Sequence, residues 1–162
     1  MILKYPHRKQ NRLQQFDYSI SNAYFITICT DNRKKLFWID PESKADFPQN
    51  IILSKFGLFV DDAIKNISHF YPAISVDHYV IMPDHLHLLL RINSDDHRRP
   101  LVAPTVLTVV QQMKGVVSKH AGFPIWQKGF YDHVIRGEQD YREIWEYIES
   151  NPGRWYEKHN HT

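Results

Sequence analysis

The chain has a single cysteine, Cys29, among its 162 residues. No intrachain disulfide is available, which suits a reducing compartment and argues against a secreted, disulfide-stapled scaffold. No stretch approaches the roughly 18 uninterrupted apolar residues of a membrane span. The opening residues, MILKYPHRKQ, also lack the long apolar core of a secretory leader. The expectation is a cytoplasmic protein with no membrane partner. Net charge is nearly absent as well: 20 basic residues against 18 acidic give +2, which neither demands nor excludes a nucleic acid. Internal repeats and low-complexity segments are missing. What remains is ordinary globular material, 43% hydrophobic and 23% charged. It reads as one domain over residues 1–162, long enough to bury a core.

Charge distribution says more than the sum. Up to Ile20 the cations Lys4, Arg8, Lys9 and Arg12 face one acid, Asp17, so residues 1–20 form a basic arm able to lie along a phosphate backbone. A solvated terminus is the plainer alternative.

The informative stretch is Tyr79 to Leu90, YVIMPDHLHLLL. Strand side chains alternate with period two, so His85 and His87 share a face. The otherwise apolar run suggests a central strand covered on one face. Two neutral imidazoles on one face of a rigid strand are half a metal site. Taken alone, they are as readily two half-buried histidines bonded to neighbours.

The other elements follow from periodicity. Residues 22–30 read as a first strand, Asp31 to Lys35 as a turn, and Leu36 to Asn50 as an irregular excursion before a short strand at 51–53. Ser54 caps a helix to about Phe70, with Phe56, Phe59, Val60, Ala63, Ile64 and Ile67 at helical spacing. A strand over 74–82 breaks at Pro83-Asp84 and returns as the His-bearing strand to Ile92. A helix spans 104–120. Residues 125–136 form a fourth core strand, bent at Gly129. A last helix starts near Asp140 in a capping-box-like Asp140/Glu143 pair, buries Tyr141, Ile144, Trp145 and Ile148, and stops at Asn151-Pro152-Gly153. That leaves a short tail over 153–162. Tyr147 lies on the flank of the buried stripe, and Asn151 one turn beyond it. The order strand, helix, strand, strand, helix, strand, helix predicts an α+β fold. It is a ferredoxin-like antiparallel sheet with two crossover helices on one face and an extra C-terminal helix carrying Tyr147.

Four separated phrases, RLQQFDYSISNAYFITICTDNRKKLF from Arg12, VIMPDHLHLLL, IWQKGFYDHVIR and YIESNP, together resemble the REP-associated tyrosine transposases and related single-tyrosine HUH transposases. The resemblance runs from about Arg12 to Trp155. It implies a metal-dependent, site-specific single-stranded DNA endonuclease and strand transferase, a nickase-ligase. On it, His85 and His87 match the HUH metal ligands, Tyr147 the nucleophile forming a 5′-phosphotyrosine, and Asn151 the further ligand. The usual Met-Pro-Asn-His is Met-Pro-Asp-His here, so Asp84 adds a carboxylate beside the site. The implied cofactor is Mg²⁺ or Mn²⁺. The implied partner is single-stranded DNA with short hairpins, and a homodimer is compatible with the resemblance. Arg8, Lys9, Arg12, Arg33, Lys34 and Lys35 are candidate phosphate contacts, and Trp126 or Phe130 candidate stacking platforms. His133 and Tyr131 are auxiliary candidates, His133 as a phosphate contact or third ligand unless a carboxylate simply satisfies it. The alternative functions are a non-catalytic hairpin- or single-strand-binding protein on the same fold, and a hydrolase in which water replaces Tyr147.

Overall fold

Alternation of small, aromatic and β-branched side chains makes Ala23–Cys29 the first strand, β1. A computed structural model describes residues 23–39, 51–93 and 106–160. The expectations for the basic arm, including Arg8, Lys9 and Arg12, lie outside those residues. β1 sits between two neighbours. On one side is β5, His85–Ile92, paired antiparallel with Cys29 opposite His85 and Thr27 opposite His87; on the other is β6, Tyr131–Val134, with Thr27 opposite Tyr131. β4, Ile74–Ile81, pairs antiparallel with the far side of β5, giving the order β4-β5-β1-β6. This is the ferredoxin-like sheet, with the histidine strand at its centre.

The two faces of β5 divide the core. Leu86, Leu88 and Leu90 point to one side and join Ile26 and Ile28 of β1. They pack there against Val60 and Ile64 of α1 (Lys55–Lys65) and Val109, Val110, Met113 and Val117 of α3 (Val106–Ala121). Each of the three leucines has 0% exposure, and burying such a side chain contributes about 1.5–3 kcal/mol. Leu89 points the other way. With Ala23, Phe25 and Ile135 it meets Tyr141 and Ile148 of α4, Glu138–Asn160. The His face is therefore covered too, by α4. That second cover explains why β5 is apolar at consecutive positions and not only at alternate ones.

Local sequence sets the supports. The Ser54 hydroxyl accepts from the Gly57 N–H at 3.1 Å and caps α1 as expected. Gly57 lies against the chain at Phe37, where a Cβ would stand 2.3 Å from the Phe37 carbonyl oxygen. The helical stripe from Phe56 to Phe70 is interrupted at Asn66, so Ile67–Phe70 form a separate short helix, α2. Thr30 is fully buried. Its N–H and hydroxyl both donate toward the Asp84 carbonyl, at 2.9 and 3.0 Å, while Leu36 and Phe37 N–H donate to the Pro83 carbonyl. The turn before His85 is thus pinned from below.

Four local expectations are corrected. Within the excursion after Leu36, Trp38–Ile39 form a strand, β2, paired with β3, Ile52–Leu53; two-residue strands carry too little alternation to be read. The fourth core strand is Tyr131–Val134, because the chain turns through Gly129 at φ +79° and before that pairs with the sheet at an isolated Thr30–Trp126 bridge. Asp140 does not open the last helix, which begins at Glu138. Its carboxylate instead accepts from the Arg136 N–H and from His133 Nε2, both at 2.8 Å. Nor does α4 stop at Pro152: it runs on to Asn160. Proline removes one N–H from the ladder, but contacts further along hold the helix. The Trp155 ring meets Trp38 at 5.3 Å and His159 at 4.2 Å, and the Lys35 ammonium lies 5.3 Å over Trp155. Among the described residues no helix is long and apolar enough to cross a membrane.

Candidate functional site

Pleating puts His85 and His87 on the face that α4 covers, with ring centroids 4.8 Å apart. His87 is 4% exposed and stacks on Phe25 of β1 at 5.1 Å. Its Nδ1 lies 2.8 Å from the hydroxyl of Thr27, its direct cross-strand neighbour. Its other nitrogen, Nε2, is buried without a hydrogen-bond partner. Burial pushes the imidazole pKa down to about 3, helped by the fields of His85 and Arg33. His87 is therefore neutral at physiological pH. In the tautomer where Nδ1–H donates to Thr27, Nε2 carries a free lone pair.

His85 is held in a matching way. Its Nδ1 lies 2.6 Å from Asp84 Oδ1, and the other carboxylate oxygen accepts from Arg33 Nε at 3.1 Å. Burial alone would raise the Asp84 pKa; the hydrogen bonds and charges of His85 and Arg33 outweigh it and hold the carboxyl below its usual range. An ionised carboxylate only accepts, so the proton between the pair is on His85 Nδ1, and its Nε2 is turned away from that bond. One carboxylate and one hydroxyl thus orient two imidazoles. This is the usual outer support of histidine metal ligands.

Across the gap stands α4. The Tyr147 ring meets His87 edge-on at 5.3 Å and Phe25 at 6.0 Å. The tyrosine thus faces a histidine of its own chain. The helix is placed by contacts in the turns that precede Tyr147: the Tyr141 hydroxyl donates to Asp77, and Trp145 stacks on His78 at 4.3 Å. Asn151, one turn past Tyr147, is 8% exposed. Among the described residues no three His, Cys, Asp or Glu side chains form a metal-holding group. An orphaned buried nitrogen beside a second oriented imidazole fits a divalent cation with mixed nitrogen and oxygen ligands.

The other candidates separate. Tyr131 is 61% exposed and shares the cross-strand row of Thr27 and His87, at the rim of the site. His133 lies one row away, opposite Phe25, and is bonded to Asp140 at the start of α4. Tyr141 is in the core. Lys34 and Lys35 are exposed beside the His85 end of the sheet, whereas Arg33 is engaged by Asp84. Trp126 donates its indole N–H to the Lys114 carbonyl and packs with Phe37, and both it and Phe130 lie against the core of the α1/α3 face, opposite the histidines. Sequence reasoning missed Thr27 and Phe25. The signal was there, since pairing the first strand with the His strand puts a hydroxyl and an aromatic in adjacent rows of the His face.

No protein-family model matches the chain. An uncharacterized protein of Haemophilus influenzae is 32% identical over 168 residues, spanning 92% of this chain and 90% of the relative. A second Haemophilus influenzae protein, provisionally named a REP-associated tyrosine transposase, is 26% identical over 84% of this chain and 73% of its own length. Among solved structures, a REP-associated tyrosine transposase bound to a REP hairpin superposes with a TM-score of 0.59 at 22% identity. The match covers 83% of this chain and 68% of that one, and it establishes the shared fold.

Proposed function

We propose, from its likeness to a protein provisionally named a REP-associated tyrosine transposase and the fold it shares with a solved one, that the chain is a member of that family and a metal-dependent, site-specific single-strand DNA endonuclease and strand transferase. Its substrate is single-stranded DNA bearing short hairpins; the structural neighbour is bound to a REP hairpin. The observation that carries the reading is Tyr147 against His87, whose Nε2 is buried and unbonded on the face it shares with His85. Attack by the Tyr147 hydroxyl would leave a covalent protein–DNA ester, a product that neither attack by water nor hairpin binding alone would give.

His85 and His87 would hold Mg²⁺ or Mn²⁺ through Nε2, with the Asn151 side-chain oxygen as a further donor. When bound, the cation polarises the attacked phosphate and stabilises its growing charge. The chain supplies the rest. The Tyr147 oxygen attacks phosphorus in line, an O–P bond to tyrosine forms as the P–O3′ bond breaks, the phenolic proton leaves to solvent, and the departing 3′ oxygen takes one up. The 5′-phosphotyrosine keeps the ester bond, so a 3′-hydroxyl can reverse the step and rejoin strands without a nucleotide cofactor. Phe25 backs both His87 and Tyr147, and Lys34 and Lys35 offer charge to neighbouring phosphates.

The test is incubation of wild type and Tyr147→Phe with labelled hairpin oligonucleotides and Mn²⁺ or Mg²⁺, resolved on a denaturing gel. A metal-dependent covalent band in wild type alone is expected. Cleavage without that band would mean that water attacks; DNA binding without cleavage across varied hairpins would leave a binding protein.

A further inference from the structure

Arg33 entered as a phosphate contact, but its position in the fold gives it other work. Asn32 and Arg33 both have left-handed backbones, φ +51° and +53°, uncommon for side-chain-bearing residues. That bend brings the Arg33 Nε back to Asp84 Oδ2 at 3.1 Å, and one terminal nitrogen to within 2.8 Å of Cys29 Sγ. Cys29 is the direct cross-strand neighbour of His85. The Asp84 carboxylate is consequently shared, one oxygen with Arg33 and the other with His85 Nδ1 at 2.6 Å. The backbone of Asp84 is fixed separately by buried Thr30, so the carboxylate cannot drift from either partner without a rotamer change.

We propose that Asp84 and Arg33 are positioning residues of the His85–His87 centre: Asp84 locks His85 in the tautomer that presents Nε2, and Arg33 sets how much of the carboxylate's negative charge the centre feels. The inference rests on the metal reading above and deepens it. Asp84 makes His85 a better cation ligand in two ways, by fixing the ring and by adding negative charge one hydrogen bond beyond it, 2.6 Å from Nδ1. Arg33 opposes the second effect and not the first. The two side chains therefore act with opposite signs on cation affinity, and the His85 tautomer depends on Asp84 alone. An asparagine at 84 keeps the acceptor for His85 and removes the charge, which separates the two effects.

The experiment has two readouts on protein whose folding is checked by thermal unfolding. The first is the ¹⁵N–¹H tautomer pattern of His85 in metal-free protein. The second is Mn²⁺ affinity by calorimetry for wild type, Asp84→Ala, Asp84→Asn, Arg33→Ala and His87→Ala. Expected are an Nδ1–H His85 in wild type and Asp84→Asn but not in Asp84→Ala; affinity lowered about 10–100-fold in Asp84→Ala and less in Asp84→Asn; and affinity raised several-fold in Arg33→Ala. An unchanged tautomer in Asp84→Ala, or a weaker affinity in Arg33→Ala, overturns the assignment while leaving the metal centre standing. Wild-type Mn²⁺ binding that is absent, or indifferent to His87→Ala, removes the metal reading itself and this inference with it.

Discussion

Burying His87 as a neutral ring makes the fold sensitive to mild acid, and the size of the effect follows from the site. The ordinary imidazole pKa is 6.5, and burial among Phe25, Thr27 and Tyr147 takes it to about 3. Between those values the unfolded chain binds the proton and the folded chain does not, so stability is full above pH 6.5 and falls as pH drops toward the folded value. Each unit is worth about 1.4 kcal/mol, giving a loss of about 2 kcal/mol at pH 5 from this residue. For a chain of this length that is a drop in Tm of about 4–8 °C. The carboxyl of Asp84 is held below its ordinary 3.8, so its contribution is lost only under more acidic conditions than pH 5 and does not enter the assayed range. The assay is thermal unfolding in EDTA at pH 7.5, 6 and 5 for wild type and His87→Asn. The variant starts less stable, because it leaves space beside Phe25, but its loss between pH 7.5 and 5 should be smaller than the wild-type loss by about 2 kcal/mol. Equal acid losses in the two proteins would refute the buried neutral histidine, since every other titrating group is common to both.

Three further perturbations address the supports of the site. Thr27→Val keeps the shape of the side chain and strands His87 Nδ1, and should lower stability by about 1–3 kcal/mol in urea unfolding; a neutral result would mean that the 2.8 Å contact carries no weight. Gly57→Ala should destabilise by about 1–3 kcal/mol despite alanine's better helix propensity, because the added Cβ would meet the Phe37 carbonyl at 2.3 Å. A gain in stability there would show that helix and loop part easily. Trp155→Ala removes the rings and cation that hold the end of α4. Amide exchange over 153–160 should quicken while 141–150 stays protected, and continued protection past Pro152 would locate the helix's support elsewhere.

The architecture was legible because its signals are long. The run of Leu86 to Leu90 beside His85 and His87 has the period of a strand and the composition of a central one, and the stripes around Val60 and Val110 have the period of helices. Element order then specified the sheet. What failed were features settled by contacts distant in sequence. Pro152 reads as a stop because proline breaks the ladder locally. The helix continues because Trp155 finds Trp38, which lies 117 positions earlier in a strand too short to recognise. Asp140 has the spacing of a capping box, but His133 stands within reach across the start of the helix and takes its carboxylate.

The same distinction applies to the site, where residue types were easier to read than their partners. The two imidazoles and the tyrosine could be picked out by spacing and resemblance, yet which nitrogen of an imidazole is left free depends on what bonds the other. For His87 that group is Thr27, sixty residues earlier, and for His85 it is the adjacent Asp84. Both are supplied by the pairing of β1 with β5 and by the pinned turn at Pro83-Asp84. Arg33 shows the consequence most clearly. As a letter in the run Arg33-Lys34-Lys35 it is a surface cation among others. Once the left-handed turn returns it to Asp84, its charge faces the histidines, and replacing it should change the centre before it changes any contact with a phosphate.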